Sequence, residues 1–197
     1  MKRLLLSLLI ATFFLSINSS LKAQFGIRLG GHLAKQEIKS SAVNFSFKTR
    51  VGLDIGLLFG IPISEGFALQ PEIHLVQKGY KINDIVLGED VLSTLNYVEV
   101  PLTAKILFGD ETNLFFQAGP TIGYMLSGNL KQNDIKEDLD LEEISRLEIG
   151  GLISAGINLG PIAIDARYLL GFTDTLKDVA NGNVFNRGFG AGISILF

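Results

Sequence analysis

From Phe25 to its last residue the chain alternates with a period of two, and it puts bulky apolar residues on one face and glycine with charge on the other. In residues 25 to 34 Phe25, Ile27, Leu29 and Leu33 share a face opposite Gly26, Arg28, Gly30, His32 and Ala34. In 47 to 61 Val51, Leu53, Ile55, Leu57 and Phe59 alternate with Arg50, Gly52, Asp54, Gly56 and Gly60. A face of glycine and charge cannot be packed as a dry core, but it can fill a narrow polar lumen. A soluble barrel or sandwich would use the same period with its apolar face inward. The size and polarity of the residues on the two faces favour the opposite arrangement, with apolar side chains outward into lipid.

The alternation recurs in eight segments, at about 25 to 34, 47 to 61, 67 to 80, 95 to 108, 114 to 126, 145 to 159, 162 to 172 and 188 to 197. Connections after the second, fourth and sixth are short: "PISEG", "GDETN" and "GP". Those after the first, third, fifth and seventh are long and polar, at about 35 to 46, 81 to 94, 127 to 144 and 173 to 187. An even strand count with short turns at one end and long loops at the other predicts an all-β, eight-stranded, antiparallel up-and-down transmembrane barrel. Closure satisfies every ladder group, which lipid demands. The termini fall on the short-turn, periplasmic side. Outward aromatics near strand ends predict two girdles: Phe59, Phe67, Phe108, Phe116 and Phe197 at one end, and Phe47, Tyr124, Phe172 and Phe189 at the other. Pro71, Pro101 and Pro120 fall inside these strands, where each removes a ladder donor, and predict bulges or register irregularities.

The N-terminus indicates the compartment. Lys2 and Arg3 precede an apolar stretch from Leu4 to Ile17, followed by small and polar residues up to Ala23. This is a signal-peptide pattern, so residues 1–23 are expected to be cleaved and 24–197 to form the barrel. A net charge of -3 offers no basic stripe, so nucleic acid is not an expected partner. Zero cysteines exclude disulfides, thiol catalysis and thiolate metal sites.

No HExxH, Walker loop or metal-ligand spacing is present, and no cofactor is expected. His32 and His74 are the only histidines, and both fall on the lumen face by parity, away from acyl chains. A structural role is expected for them. The acidic stretch 133 to 143 is expected to be a solvated loop or hairpin, with cation binding through Asp138, Asp140 and Glu142 the sharper alternative. The lumen charges suggest a register. One antiparallel alignment sets Lys78 opposite Glu99 and Glu72 opposite Lys105, and another sets Arg28 opposite Asp54. Such pairs would plug an eight-stranded lumen.

The stretches "YVEVPLTAKILFG" (97 to 109), "FFQAGPTIGYMLSG" (115 to 128), "RYLLGFTD" (167 to 174) and "NRGFGAGISILF" (186 to 197) together resemble the PorT-type outer-membrane β-barrel domain family. The resemblance runs from about Phe25 to Phe197. It implies an eight-stranded barrel in the outer membrane, and the family's founding member is linked to type IX secretion and gliding. Phe197, a terminal aromatic on an alternating last strand, resembles the signal read by the barrel assembly machinery. The expected role is therefore structural or interactive and not enzymatic, with outer-membrane lipid, the assembly machinery and an envelope protein as partners. A small passive pore is the first alternative, and a lipid-modifying barrel enzyme the second.

Overall fold

The computed structural model describes residues 24–39, 44–46, 48–83, 90–109, 112–132, 135–141, 144–175 and 183–197. The expected signal peptide and Phe47 lie outside the described residues. The strands in chain order are β1 (Gln24–Lys39), β2 (Asn44–Ser46), β3 (Arg50–Ser64), β4 (Phe67–Lys78), β5 (Lys81–Asn83), β6 (Asp90–Phe108), β7 (Thr112–Gln132), β8 (Ile135–Asp138), β9 (Leu147–Leu159), β10 (Ile162–Gly171) and β11 (Asn183–Leu196).

Eight of them close a ring, in the order β1, β3, β4, β6, β7, β9, β10, β11, with every neighbour antiparallel. The first and last strands seal it, from Gly26 facing Leu196 to Lys39 facing Asn183. Phe197 N–H also donates to the Phe25 carbonyl at 2.7 Å, and the two rings stack at 6.0 Å. The start of the first barrel strand and the end of the last sit at the end of the short turns, because Gln24 faces Gly60 and Leu196 N–H donates to the Pro161 carbonyl. The turn between β9 and β10 needs only Gly160 and Pro161. Gly160 has φ +63, and proline fixes the next φ near −65°, which makes a type II′ hairpin turn whose twist suits the flanking strands.

The two faces are sorted as the period requires. Leu29, Val51, Leu75, Leu114, Ile122, Ile193 and Phe197 are exposed, whereas Arg28, Asp54, Glu72, His74, Lys78 and Glu99 are buried. Among the described residues the buried polar side chains outnumber the buried apolar ones. A protein with this distribution is stable only where its outer surface meets hydrocarbon. Of the expected girdle residues, Phe59, Phe108, Phe116, Phe197, Tyr124, Phe172 and Phe189 are exposed.

Two expectations need correction. The strands run further into the loop end than the alternation alone suggests. β6 has 19 residues and β7 has 21, well beyond the roughly 9 to 11 that cross a bilayer. Their extensions carry β5 and β8 as edge partners, in segments read as loops. Asn133, Asn181 and Glu142 lie outside the described residues. β8 is solvent-exposed, but the residues after it return: Leu139 and Leu141 pack on a buried cluster of Leu95, Tyr97, Met125 and Ile144. Leu139 and Leu141 of the acidic stretch thus add to an apolar cap at the loop end of the lumen, beside the pairing of β8 with β7.

The prolines behave differently from the expectation as well. The ladder lapses beside each of them, between the pairs Pro71–Leu102 and His74–Glu99, and between Pro101–Thr121 and Ala104–Ala118, but the register on either side is unchanged. The register shifts occur instead at Pro62/Ser64 and Asn96/Tyr97. A missing N–H costs a bond without inserting a residue, and only an inserted residue shifts a register.

Candidate functional site

The lumen is layered from the turn end to the loop end. Its middle layer is a ring of six side chains from β1, β3, β4 and β10. Arg28 donates to Asp54 from Nη1, and to Asp165 from Nε at 3.0 Å and Nη2 at 3.2 Å. The ring nitrogens of His74 lie 2.5 Å from Asp54 Oδ1 and 2.6 Å from Glu72 Oε2. Arg167 closes the circuit, with Nη1 donating to Glu72 at 3.0 Å and Nε to Asp165 at 2.8 Å. Because both His74 nitrogens face carboxylates, bonding to both requires the imidazolium form. Three cations and three carboxylates then alternate around the lumen.

Charges this deeply buried persist only when paired and fully hydrogen-bonded. Glu72 is 0% exposed and accepts from four side chains: Arg167, His74, Gln70 at 2.6 Å and Gln117 at 3.3 Å. Toward the loop end a second cluster centres on Lys78, whose Nζ donates to Glu99 and to Glu148 and lies 4.9 Å from the Tyr97 ring centroid. Asn186 donates to Glu148 and accepts from Gln36 at 3.1 Å. With Gln117 of β7, the two clusters draw on all eight barrel strands.

Glycine makes the room. A Cβ at Gly30 would sit 2.6 Å from Arg28 Nη1, and one at Gly192 2.5 Å from Arg28 Nη2. At Gly56 it would sit 2.4 Å from the His74 ring, and at Gly188 2.1 Å from His32. The glycines of the lumen face are therefore the space into which the long polar side chains fit. They also let Arg28 of β1 reach past β11 to Asp165 of β10.

The residues singled out in the sequence separate into three groups. Arg28, Asp54 and Glu72 belong to the ring, Lys78 and Glu99 to the second cluster, and Lys105 to neither. Phe197 ends the closing strand, exposed. The inferred registers are corrected. Arg28 faces Gly56, and Asp54 faces Gly30, two positions from the expected alignment, so the Arg28–Asp54 ion pair is diagonal. Lys78 faces Leu95, and Glu99 faces His74, four positions from the expected alignment. Long side chains leaning along the strand make the Lys78–Glu99 contact despite this offset. Glu72 and Lys105 do not pair: Glu72 binds Arg167 and His74, and Lys105 Nζ donates to Gln70 Oε1 at 3.2 Å. His74, Asp165, Arg167 and Glu148 went unrecognised as members, although parity places all four in the lumen. Pairs across the lumen depend on the stagger of the closed barrel, which no nearest-strand argument contains.

Because Lys78 holds two carboxylates, its loss should exceed that of either partner. Glu99→Ala is expected to cost about 1.5 to 3 kcal/mol, the range for a charged hydrogen bond. Lys78→Ala should cost more, and the double variant should recover only part, because Glu148 is left behind. Denaturant unfolding in detergent measures all three, and strictly additive losses would contradict the coupling.

Among the described residues no group of histidine and carboxylate side chains has the arrangement of a metal centre. The family model for the outer membrane protein beta-barrel domain matches residues 16–177. No curated protein matches the chain in sequence. Among solved structures, Neisserial surface protein A has a TM-score of 0.50 at 14% identity, over 88% of this chain and 98% of that one. The attachment invasion locus protein Ail of Yersinia pestis has 0.48 at 13% identity, over 90% and 100%. OprG of Pseudomonas aeruginosa has 0.46 at 11% identity, over 90% and 97%. An eight-stranded closed ring with an apolar exterior and a charged, buried interior, matched over most of its length by that family model, identifies the chain as a member of the outer membrane protein beta-barrel domain family, resident in the bacterial outer membrane.

Proposed function

We propose that this barrel is a non-conducting, non-enzymatic interaction module of the outer membrane, of the PorT type, serving as an accessory of a protein-secretion or gliding machine of the type IX kind. The observation that carries the reading is the double closure of the lumen, by the ring of six charges and by the apolar cap of Leu95, Tyr97, Met125 and Ile144. A barrel sealed in this way serves through its surfaces. Its loop-end extensions, β5 to β8, offer a platform to an envelope partner, and its apolar wall meets outer-membrane lipid. The PorT-type assignment rests on the four stretches quoted above, and Phe197, directly after the closing strand, is the terminal aromatic that the assembly machinery would read. The non-enzymatic reading is supported by the burial of His32 and His74, each 2% exposed inside the lumen and out of reach of acyl chains.

Planar-bilayer recording is expected to give no steady conductance from the purified barrel. Stable unitary currents would overturn the sealed lumen in favour of the passive pore. Lipid analysis after incubation would expose the enzymatic alternative, and co-purification from native membranes would identify the partner. The topology is tested separately. With the turn end in the periplasm, tags inserted near Asn133 and Asn181 should be labelled on intact cells. Labelling only after permeabilisation would invert the barrel.

A further inference from the structure

At the turn end, below the charge ring, the lumen opens into a cavity of about 200 Å³ whose polar lining includes four amides (Gln24, Gln70, Asn113 and Asn158), one ammonium (Lys105) and one carboxylate (Glu65). Lys105 is 7% exposed. Among the described residues its Nζ has one hydrogen bond, to Gln70 Oε1 at 3.2 Å, and it lies 4.1 Å from the centroid of the Phe115 ring. Arg28, Lys78 and Arg167 each contact two carboxylates, whereas among the described residues none forms an ion pair with Lys105. An ammonium carries three donors, so part of its capacity faces the cavity unused. Asn158 presents the complementary deficit. Its Nδ2 donates to Asn113 at 2.5 Å, but its Oδ1 is buried without a partner. A buried cation without an ion-pair partner and an orphaned amide oxygen are each unfavourable, and both are relieved by one ligand that brings an anion and a hydrogen-bond donor.

We propose that this vestibule binds a small solute bearing a single carboxylate and a neighbouring hydroxyl or similar donor, the carboxylate on Lys105 and the donor on the amide wall. The cavity volume limits the solute to a few carbons. Glu65, exposed in the turn between β3 and β4, places a negative charge among the lining residues, which disfavours multiply charged anions. Gln70 Nε2 donates to Glu72 at 2.6 Å, so a ligand seated beside Gln70 also touches the support of the charge ring. The proposal goes beyond the interaction role and does not depend on it, since a blind vestibule can bind whether or not the barrel has a protein partner.

The probes are L-lactate and lactamide, its uncharged analogue, titrated by calorimetry into the full barrel in zwitterionic detergent. Wild-type protein should bind lactate saturably and lactamide roughly tenfold or more weakly, the loss expected when about 1.4 kcal/mol of ionic contact is removed. Lys105→Met should abolish lactate binding while the folded band is retained on unboiled gels. Sulfate should bind poorly to the wild type and better to Glu65→Gln. Equal binding of lactate and lactamide, absence of saturation, or unchanged lactate binding in a folded Lys105→Met barrel would each overturn the proposal. The comparison of lactate with lactamide needs no variant, so it decides the matter even if Lys105→Met fails to fold. Conductance plays no part in this test, so its failure leaves the sealed-lumen reading standing.

Discussion

Arg28→Met is expected to destabilise the folded barrel by about 3 to 5 kcal/mol, the range for breaking a buried ion pair by removing one partner. Arg28 is 0% exposed and holds two carboxylates at once, Asp54 and Asp165. Methionine keeps much of the volume, so the loss reports charge and hydrogen bonding more than cavity formation. Asp165 retains Arg167, and Asp54 retains His74, so the ring opens without being dismantled. Arg28→Met leaves one carboxylate in excess, so adding either Asp54→Asn or Asp165→Asn restores the balance of the ring and should recover part of the stability. Folded and unfolded fractions are read from the shift in gel migration before and after boiling, across a denaturant series. A single-variant loss below about 1 kcal/mol, the scale of an exposed ion pair, would mean that the lumen is hydrated enough to screen its own charges.

Gly119→Ala should have an effect of comparable size by a different route. A Cβ at this position would lie 2.0 Å from the Leu102 carbonyl oxygen and 2.8 Å from Thr103 Cα, on the neighbouring strand β6. These atoms are backbone, so no rotamer change relieves the contact. Here the ladder between β6 and β7 is already interrupted, between Pro101–Thr121 and Ala104–Ala118. The side chain missing from Gly119 is what allows the proline-bearing strand to approach. Overpacking of this kind costs typically about 1 to 3 kcal/mol, and forced separation of two barrel strands adds the loss of their ladder bonds. Gly119→Ala is therefore expected to leave little heat-shifted protein. The control is Gly31→Ala, where a Cβ meets nothing within 4 Å, and it should fold like the wild type. If both variants fold equally well, the close approach at Gly119 is not a determinant of the barrel.

The sites were less legible than the fold. Parity along each strand is enough to place Arg28, Asp54, Glu72, His74, Lys78, Glu99, Asp165 and Arg167 in the lumen, because side-chain direction along a strand is local. It also located the contacts Arg28–Asp54 and Lys78–Glu99, although the registers inferred from them were displaced. Long side chains reach diagonal neighbours, so a salt bridge between adjacent strands does not define which residues face each other. The partnership of Arg167 with Glu72 joins β10 to β4 across the lumen, and it leaves Lys105 without an ion-pair partner among the described residues. Neither has any signature along the chain.

By itself, the sequence determined the period, the sorting of the two faces, the eight strands and the alternation of short turns with long loops. All of these follow from the repeat of a single extended backbone and from the demand of lipid that apolar side chains face outward. Only the tertiary structure decided the stagger with which β11 meets β1, and with it which charges share a level of the lumen. It also decided that Leu139 and Leu141 return to pack at the loop end, and that among the described residues Lys105 has no ion-pair partner beneath the ring. Those outcomes depend on closure, a relation between strands distant in the chain, and closure converts a list of inward-facing charges into one particular circuit.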